Sequence, residues 1–402
     1  MTTLHDIDFQ WLHVAYREQV PFVETYGFAG NQGMVNVEGI LITPRDVPSD
    51  TLVLFMHPAS TLQLLPVPQQ AARMGAHVLC AASRYARNDT AAILEKVLLD
   101  MGAFIRHART VLGYRHVVLA GWSGGGSLSL FYQSQAENPT IEQTPAGDPI
   151  DLKGAGLIPA DAVIFQAAHI SRAQLLLDII DPSVRREADP DDRIRDLDIY
   201  DPANPNQPPY SADFITTYRE AQLARVQRIT SWVKDQLDML RRRGTLEVER
   251  GFITHRTLAD LRFLDATLEP NDRPIGRCYL GDPETVNSGP VGLARFSTLR
   301  AWLSQWSIND SNADARRCAA RISVPLLTIE NMADDAVPRY HTRAVFDAAT
   351  SADKQFLAIE GATHYYAGQP KHLDIATRSI LNWLEDRDLF AGVRGDKAGE
   401  EV

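Results

Sequence analysis

The sequence predicts an α/β fold: a mostly parallel, twisted sheet with helices on both faces, interrupted by one long, mainly helical insertion. Three observations carry that expectation. Strand and helix patterns alternate up to residue 168, the alternation stops over residues 170–321, and it resumes after Arg321.

Residues 22–57 read as strands, because "FVETYGF", "MVNVEGILI" and "TLVLFMH" are separated by the turn-rich "AGNQG" and "TPRDVPSD". "GAHVLCAA" reads as a buried strand. Residues 92–112 have helical apolar spacing closed by Gly113, and "RHVVLAG" is the next strand. A helix then runs from Gly124 to about Glu137, and the strand "DAVIFQAA" follows a loop rich in proline and glycine. Beyond His169 the pattern is mainly helical, with the polar "DPANPNQPPYSADF" inside it. From Ser211 to Gly244 one stripe collects Leu223, Val226, Ile229, Val233, Leu237 and Leu240. Arg241, Arg242 and Arg243 sit in the last turn, where the helix dipole favours cations. Unbroken, that helix spans roughly 50 Å. The strand "VPLLTIE", a helix over 339–349, the strand "KQFLAIE" and a helix from Lys371 to about Glu385 complete the chain. The expected division is a core of residues 1–169 and 322–402, with 170–321 as the insertion.

Composition narrows the function. The 402 residues are 45% hydrophobic and 23% charged, as in an ordinary soluble globular protein. A net charge of −11 disfavours nucleic acid and anionic membrane surfaces as partners. No apolar run approaches the ~20 residues that span a bilayer. "MTTLHDIDFQW" has acids where a signal peptide carries basic and apolar regions. Cys80, Cys278 and Cys318 lack C-x-x-C spacing, which points to reduced thiols and a cytoplasmic protein. The acids of "DPDDRIRDLDIYD" lack the glycine of an EF-hand loop, so the sequence implies no metal and no cofactor. A homo-oligomer stays open.

The chemistry concentrates in "VVLAGWSGGGSLSLF". Gly121-Trp122-Ser123-Gly124-Gly125 fits G-x-S-x-G between a strand and a helix. A sharp turn there lifts the serine hydroxyl above the sheet and demands small residues two positions before and after it. A glycine-rich phosphate-binding turn is the competing reading, but neither G-K-[ST] nor G-x-G-x-x-G is present. A serine nucleophile needs a base and a carboxylate that orients it. His364, in "AIEGATHYYAG", follows the last strand and is the best base; His57 and His169 also follow strands. The acid falls in "VPLLTIENMADDAVP", which ends a strand and turns with two adjacent carboxylates, Asp334 and Asp335.

Together these residues resemble the α/β-hydrolase superfamily, whose order is nucleophile, acid, histidine. The family's strand-end pattern I-x-G-x-x-D-x-x-V-P reads here from Ile329 to Pro338 and selects Asp334, with Asp335 one residue out of register. Asn331 replaces the glycine, a substitution that asparagine's tolerance of left-handed angles allows. Gly361-Ala362-Thr363-His364 matches G-x-x-H. The resemblance implies Ser123, Asp334 and His364 as catalytic, and an oxyanion hole with one donor from Gly124. The second donor belongs to the loop after the third strand, where His57-Pro58 replaces H-G. Proline has no N–H, so Ala59 becomes the expected donor and Ser60 the second choice.

An insertion at this point implies a helical cap over the serine. Tyr200, Tyr210, Trp232, Trp302 and Trp306 are its aromatic candidates for a pocket wall. Trp302 and Trp306 join His57, Trp122 and Tyr365 as the expected substrate contacts. Phe296, Leu299, Trp302 and Trp306 are expected on one helical face. The resulting expectation is an esterase-like serine hydrolase acting on a medium-sized, apolar ester or lactone. A carbon–carbon bond hydrolase, an acyltransferase with the same triad, and a non-catalytic binding protein on the same scaffold are the alternatives.

Overall fold

The computed structural model describes residues 4–18, 33–244, 247–269 and 272–391. The strand read in "FVETYGF" lies outside them. Eight strands form one sheet: β1 (Ile7–Arg17), β2 (Met34–Pro44), β3 (Thr51–His57), β4 (His77–Ala82), β5 (His116–Ser123), β6 (Ala162–Ala168), then β11 (Leu326–Asn331) and β12 (Lys354–Ile359). Their order is β1-β2-β4-β3-β5-β6-β11-β12. β1 and β2 are antiparallel, β2 is antiparallel to β4, and every other pairing is parallel.

Helices cover both faces because the central strands are apolar on both. Along β3, Leu52, Leu54 and Met56 join the core beneath α2 (Leu94–Thr110) and α3 (Gly124–Glu137). Val53 and Phe55 point the other way, toward α1 (Pro66–Arg73) and α10 (Pro370–Glu385). A continuous apolar run is therefore what a strand buried on both faces requires.

The segment from α4 (Arg172–Ile179) to α8 (Ala315–Ala319) separates β6 from β11. It contains α5 (Ala212–Arg243), α6 (Pro283–Ser288) and α7 (Leu299–Gln305), with two small antiparallel sheets: β7 (Val184–Arg186) with β8 (Asp189–Arg193), and β9 (Gly251–Ile253) with β10 (Phe296–Thr298). α5 is the unbroken helix expected, about 48 Å long at its usual rise. Ser211 starts it by accepting from the Phe214 N–H at 3.2 Å, and Gly244 stops it at φ 58°, an angle that favours glycine. Val226, Ile229, Val233, Leu237 and Leu240 pack on Leu299, Trp302, Leu303 and Trp306. After β11, α9 (Arg339–Ala348) leads back to β12.

Two expectations need correction. Phe296 does not share a helical face with Trp302 and Trp306, because 296–298 is the strand β10 and α7 begins at Leu299. Asn331 does not adopt a left-handed turn; it is the last residue of β11. Its side chain bridges instead, with Nδ2 donating to the Thr363 carbonyl and Oδ1 accepting from the Tyr366 hydroxyl.

Candidate active site

Ser123 ends β5 and precedes the first residue of α3, at φ 54° and ψ −124°. A non-glycine residue holds such angles only when its surroundings over-determine them. Here they do. A Cβ on Gly121 would strike the Gly125 carbonyl and Gly126 Cα, and one on Gly125 would strike the Met56 carbonyl oxygen. Strand and helix thus approach as closely as glycine permits. Beside the elbow the β5–β6 register slips, so that Ser123 pairs with Ala168 and Ala167 is pushed to φ 45°.

His364 reaches the elbow from the loop after β12. Its ring centroid is 4.4 Å from that of Trp122, whose Nε1–H donates to the His364 carbonyl at 3.2 Å. Its Nδ1–H donates to Asp334 Oδ2 at 2.8 Å, in a pair almost wholly shielded from water. Asp334 Oδ1 accepts from the Ala336 and Val337 N–H groups, each at 2.8 Å, which fixes the carboxylate. Asp335 is not on the histidine. Burial, and then the charge of Asp334, push its carboxyl up. In the neutral imidazole, the bond to Asp334 takes the Nδ1 proton and leaves Nε2 as the acceptor that a base requires. Among the described residues, the Ser123 hydroxyl makes no hydrogen bond to it; such contacts often tighten only when substrate binds.

His57 ends β3 on the opposite side of the serine. Its Nδ1 accepts from the N–H groups of Ala59, at 3.1 Å, and Ser60, at 3.0 Å. Ala59 is therefore not a free oxyanion donor: its N–H is spent on the adjacent ring. With both donors on Nδ1, the proton of the neutral imidazole lies on Nε2. Burial, then the charge of Arg172, pushes His57 down to about 3, so the ring stays neutral. Its Nε2 lies 2.8 Å from where a Gly124 Cβ would stand, and His169 Nε2 lies at 3.4 Å from the same point. Two imidazoles thus flank the first residue of α3, whose N–H faces outward from the helix start.

Of the expected substrate contacts, His57, Trp122 and Tyr365 surround the elbow. Tyr365 stands edge-on to His364 at 4.9 Å and tilts over Trp122 at 5.2 Å. Trp302 and Trp306 do not join them. Both are buried in the core between α5 and α7, with Trp302 Nε1 donating to Thr230 Oγ1 at 3.0 Å. Tyr210 is likewise buried, and Tyr200 donates to the Leu258 carbonyl. An apolar stripe facing a neighbouring helix satisfies itself there.

Two site residues were not anticipated. Tyr279, from the segment between β6 and β11, stands 6.4 Å from the His364 ring, and its N–H donates to the Asp335 carbonyl at 3.1 Å. Arg172, the first residue of α4, lies three residues beyond His169. Neither falls in a local pattern; both arrive through long-range packing. Among the described residues no cluster of histidine, cysteine or acidic side chains is arranged to hold a metal ion. No helix among them is long and apolar enough to cross a membrane.

The strand order, the serine elbow after β5, the acid after β11 and the histidine after β12 define the α/β-hydrolase fold. No family model matches the sequence, and no curated protein matches it significantly. Among solved structures the chain is similar to DcsB in complex with its substrate analogue, at 11% identity and a TM-score of 0.51, over 94% of this chain and 99% of that one. It is also similar to brefeldin A esterase, described as a bacterial homologue of human hormone-sensitive lipase, at 15% identity and a TM-score of 0.45, over 96% and 78%. A third is the α/β-hydrolase GrgF from Penicillium sp. sh18, at 10% identity and a TM-score of 0.46, over 94% and 97%.

Proposed function

We propose that the protein is a serine hydrolase that cleaves a carboxylic ester or lactone through an acyl-enzyme. The observation that carries this reading is the buried hydrogen bond between Asp334 and His364, delivered to a strained serine elbow. Ser123 Oγ attacks the carbonyl carbon as His364 Nε2 takes its proton, and Asp334 stabilises the imidazolium that forms. The oxyanion accepts from the Gly124 N–H and from His57 Nε2–H, the side-chain donor replacing the backbone donor that Pro58 lacks and Ala59 has committed. A neutral histidine suits that task, since its donor needs no protonation near neutral pH. His364 then passes its proton to the leaving alkoxide. Water, activated by the same base, attacks the acyl-serine and returns the enzyme. Residues 170–321 serve as a cap, and Tyr279 is the side chain it lends to the cleft.

The test is chemical. A fluorophosphonate probe should label the wild-type protein on Ser123, and Ser123→Ala should abolish labelling. Ester hydrolysis should fall at least ~10³-fold in that variant. Labelling that persists on another serine refutes the assignment.

A further inference from the structure

Arg172 is 4% exposed, yet its guanidinium is poorly partnered. Its Nη2 is ion-paired with Asp89, and its carbon lies 4.3 Å from the Trp306 ring centroid. Its Nε is buried without a hydrogen-bond partner. A buried guanidinium ordinarily fills its donors, because desolvated charge is costly. Arg225 does so. Its three nitrogens donate to both Glu187 oxygens and to the carbonyls of Asp181, Arg256 and His255.

The surroundings of Arg172 are those of the serine. It follows β6 at the C-terminal end of the parallel strands, where Ser123 stands, and Asp89 comes from the loop after β4 at the same end. Its charge helps hold His57 and His169 neutral, and it also acts on Tyr279, which faces His364. Asp89 is partly solvent-exposed, its side chain at 35%, so the pair is anchored on one side only.

Resting on the serine-hydrolase reading, we propose that Arg172 is a substrate-binding residue for a carboxylate, so that the substrate is an ester or lactone that also bears an acidic group. One guanidinium shared with Asp89 suits a monoanion rather than a phosphate dianion, and its planar donors match a carboxylate. The apolar substrate suggested by the tryptophans of 170–321 is thereby replaced, since those tryptophans are core.

Two esters of equal acyl length test this: mono-p-nitrophenyl adipate, which ends in a carboxylate, and p-nitrophenyl hexanoate, which does not. The wild type should favour the adipate by about tenfold or more in kcat/KM, the worth of one charged hydrogen bond, and high salt should shrink the preference. Arg172→Gln should lower the adipate-to-hexanoate ratio by a similar factor, and Arg172→Lys should restore part of it. If the glutamine variant does not fold, monomethyl adipate titrated calorimetrically into Ser123→Ala, against methyl hexanoate, reads the same preference without turnover. A wild-type ratio of one or less overturns the proposal, and so does an Arg172→Gln variant that slows both esters alike. Failure to hydrolyse either ester would instead count against the serine reading itself.

Discussion

A ring nitrogen that accepts two backbone N–H groups cannot also carry a proton, and at His57 that settles which edge of the imidazole can donate. His57→Ala should therefore lower kcat by ~10²–10³-fold, the loss seen when one oxyanion donor is removed elsewhere. Labelling of Ser123 by the probe should slow but survive; a variant with unchanged kcat would place the second donor elsewhere. The adjacent acids separate just as cleanly. Asp334→Asn should cost ~10²–10⁴-fold in kcat, because the amide cannot stabilise the imidazolium, while Asp335→Asn should cost far less. Steady-state kinetics on both variants decides it, and the reverse order would contradict the geometry. Trp306→Ala should act on stability and not on selectivity among neutral esters: the ring is buried between α5 and α7, and such truncations cost ~3–5 kcal/mol. Its melting temperature should drop while the ratio between bulky and small esters stays fixed.

These residues show what a sequence exposes at this scale. Ser123, Asp334 and His364 stood out because each lies at a strand end within a short pattern that the chemistry needs. Arg172 and Tyr279 did not, since what makes them site residues is their distance to groups far away in the chain. Trp302 and Trp306 misled for a related reason. An amphipathic stripe marks a buried face without saying whether protein or substrate buries it.

At the scale of elements, the clearest boundaries were those with local causes. α3 begins where the glycine run begins, and α5 starts and stops where Ser211 and Gly244 cap it. β1 escaped notice because its apolar residues fall on both faces: Leu12 and Val14 are buried, but Phe9 and Trp11, of the opposite parity, are exposed. The elbow itself yields a graded test. A Cβ at Gly124 meets only side-chain atoms, the nearest being His57 Nε2 at 2.8 Å, whereas at Gly125 it meets the Met56 backbone. Gly124→Ala should displace the imidazole and lose activity in a folded protein. Gly125→Ala should lower the melting temperature markedly, because β3 must shift. Thermal melts beside esterase assays distinguish the two, and equal stability losses would refute the steric account.

At the scale of the molecule, the 170–321 segment and the sheet are joined through buried polar contacts. Asp178, in α4, accepts from the Tyr340 hydroxyl at 2.7 Å and from His341 Nε2–H at 2.8 Å; the same ring accepts from the Ile170 N–H through Nδ1. Burial opposes ionisation of Asp178, but the bond from His341 and the charges of Arg262 and Arg219 hold its carboxyl below the ordinary range. Its contribution is present above the unfolded pKa near 4 and is lost below it. The neutral histidines act earlier. His57 and His169 have folded pKa values below the unfolded ~6.5, so the unfolded chain binds their protons first as pH falls. Stability should accordingly decline from about pH 6.5 downward, before the carboxylates titrate. Calorimetric melts across that range should show a shallower decline in His57→Gln than in the wild type; an identical slope would mean that the ring is not held neutral.

If the serine is the nucleophile, substrate acylates Ser123. Rapid acid quench during turnover of an activated ester, followed by peptide mass mapping, measures this directly. An acyl mass should appear on the peptide that holds Ser123, accumulating in His57→Ala no faster than in wild type and absent from Ser123→Ala. Turnover with no adduct on that peptide, or with the acyl group on another residue, would contradict it.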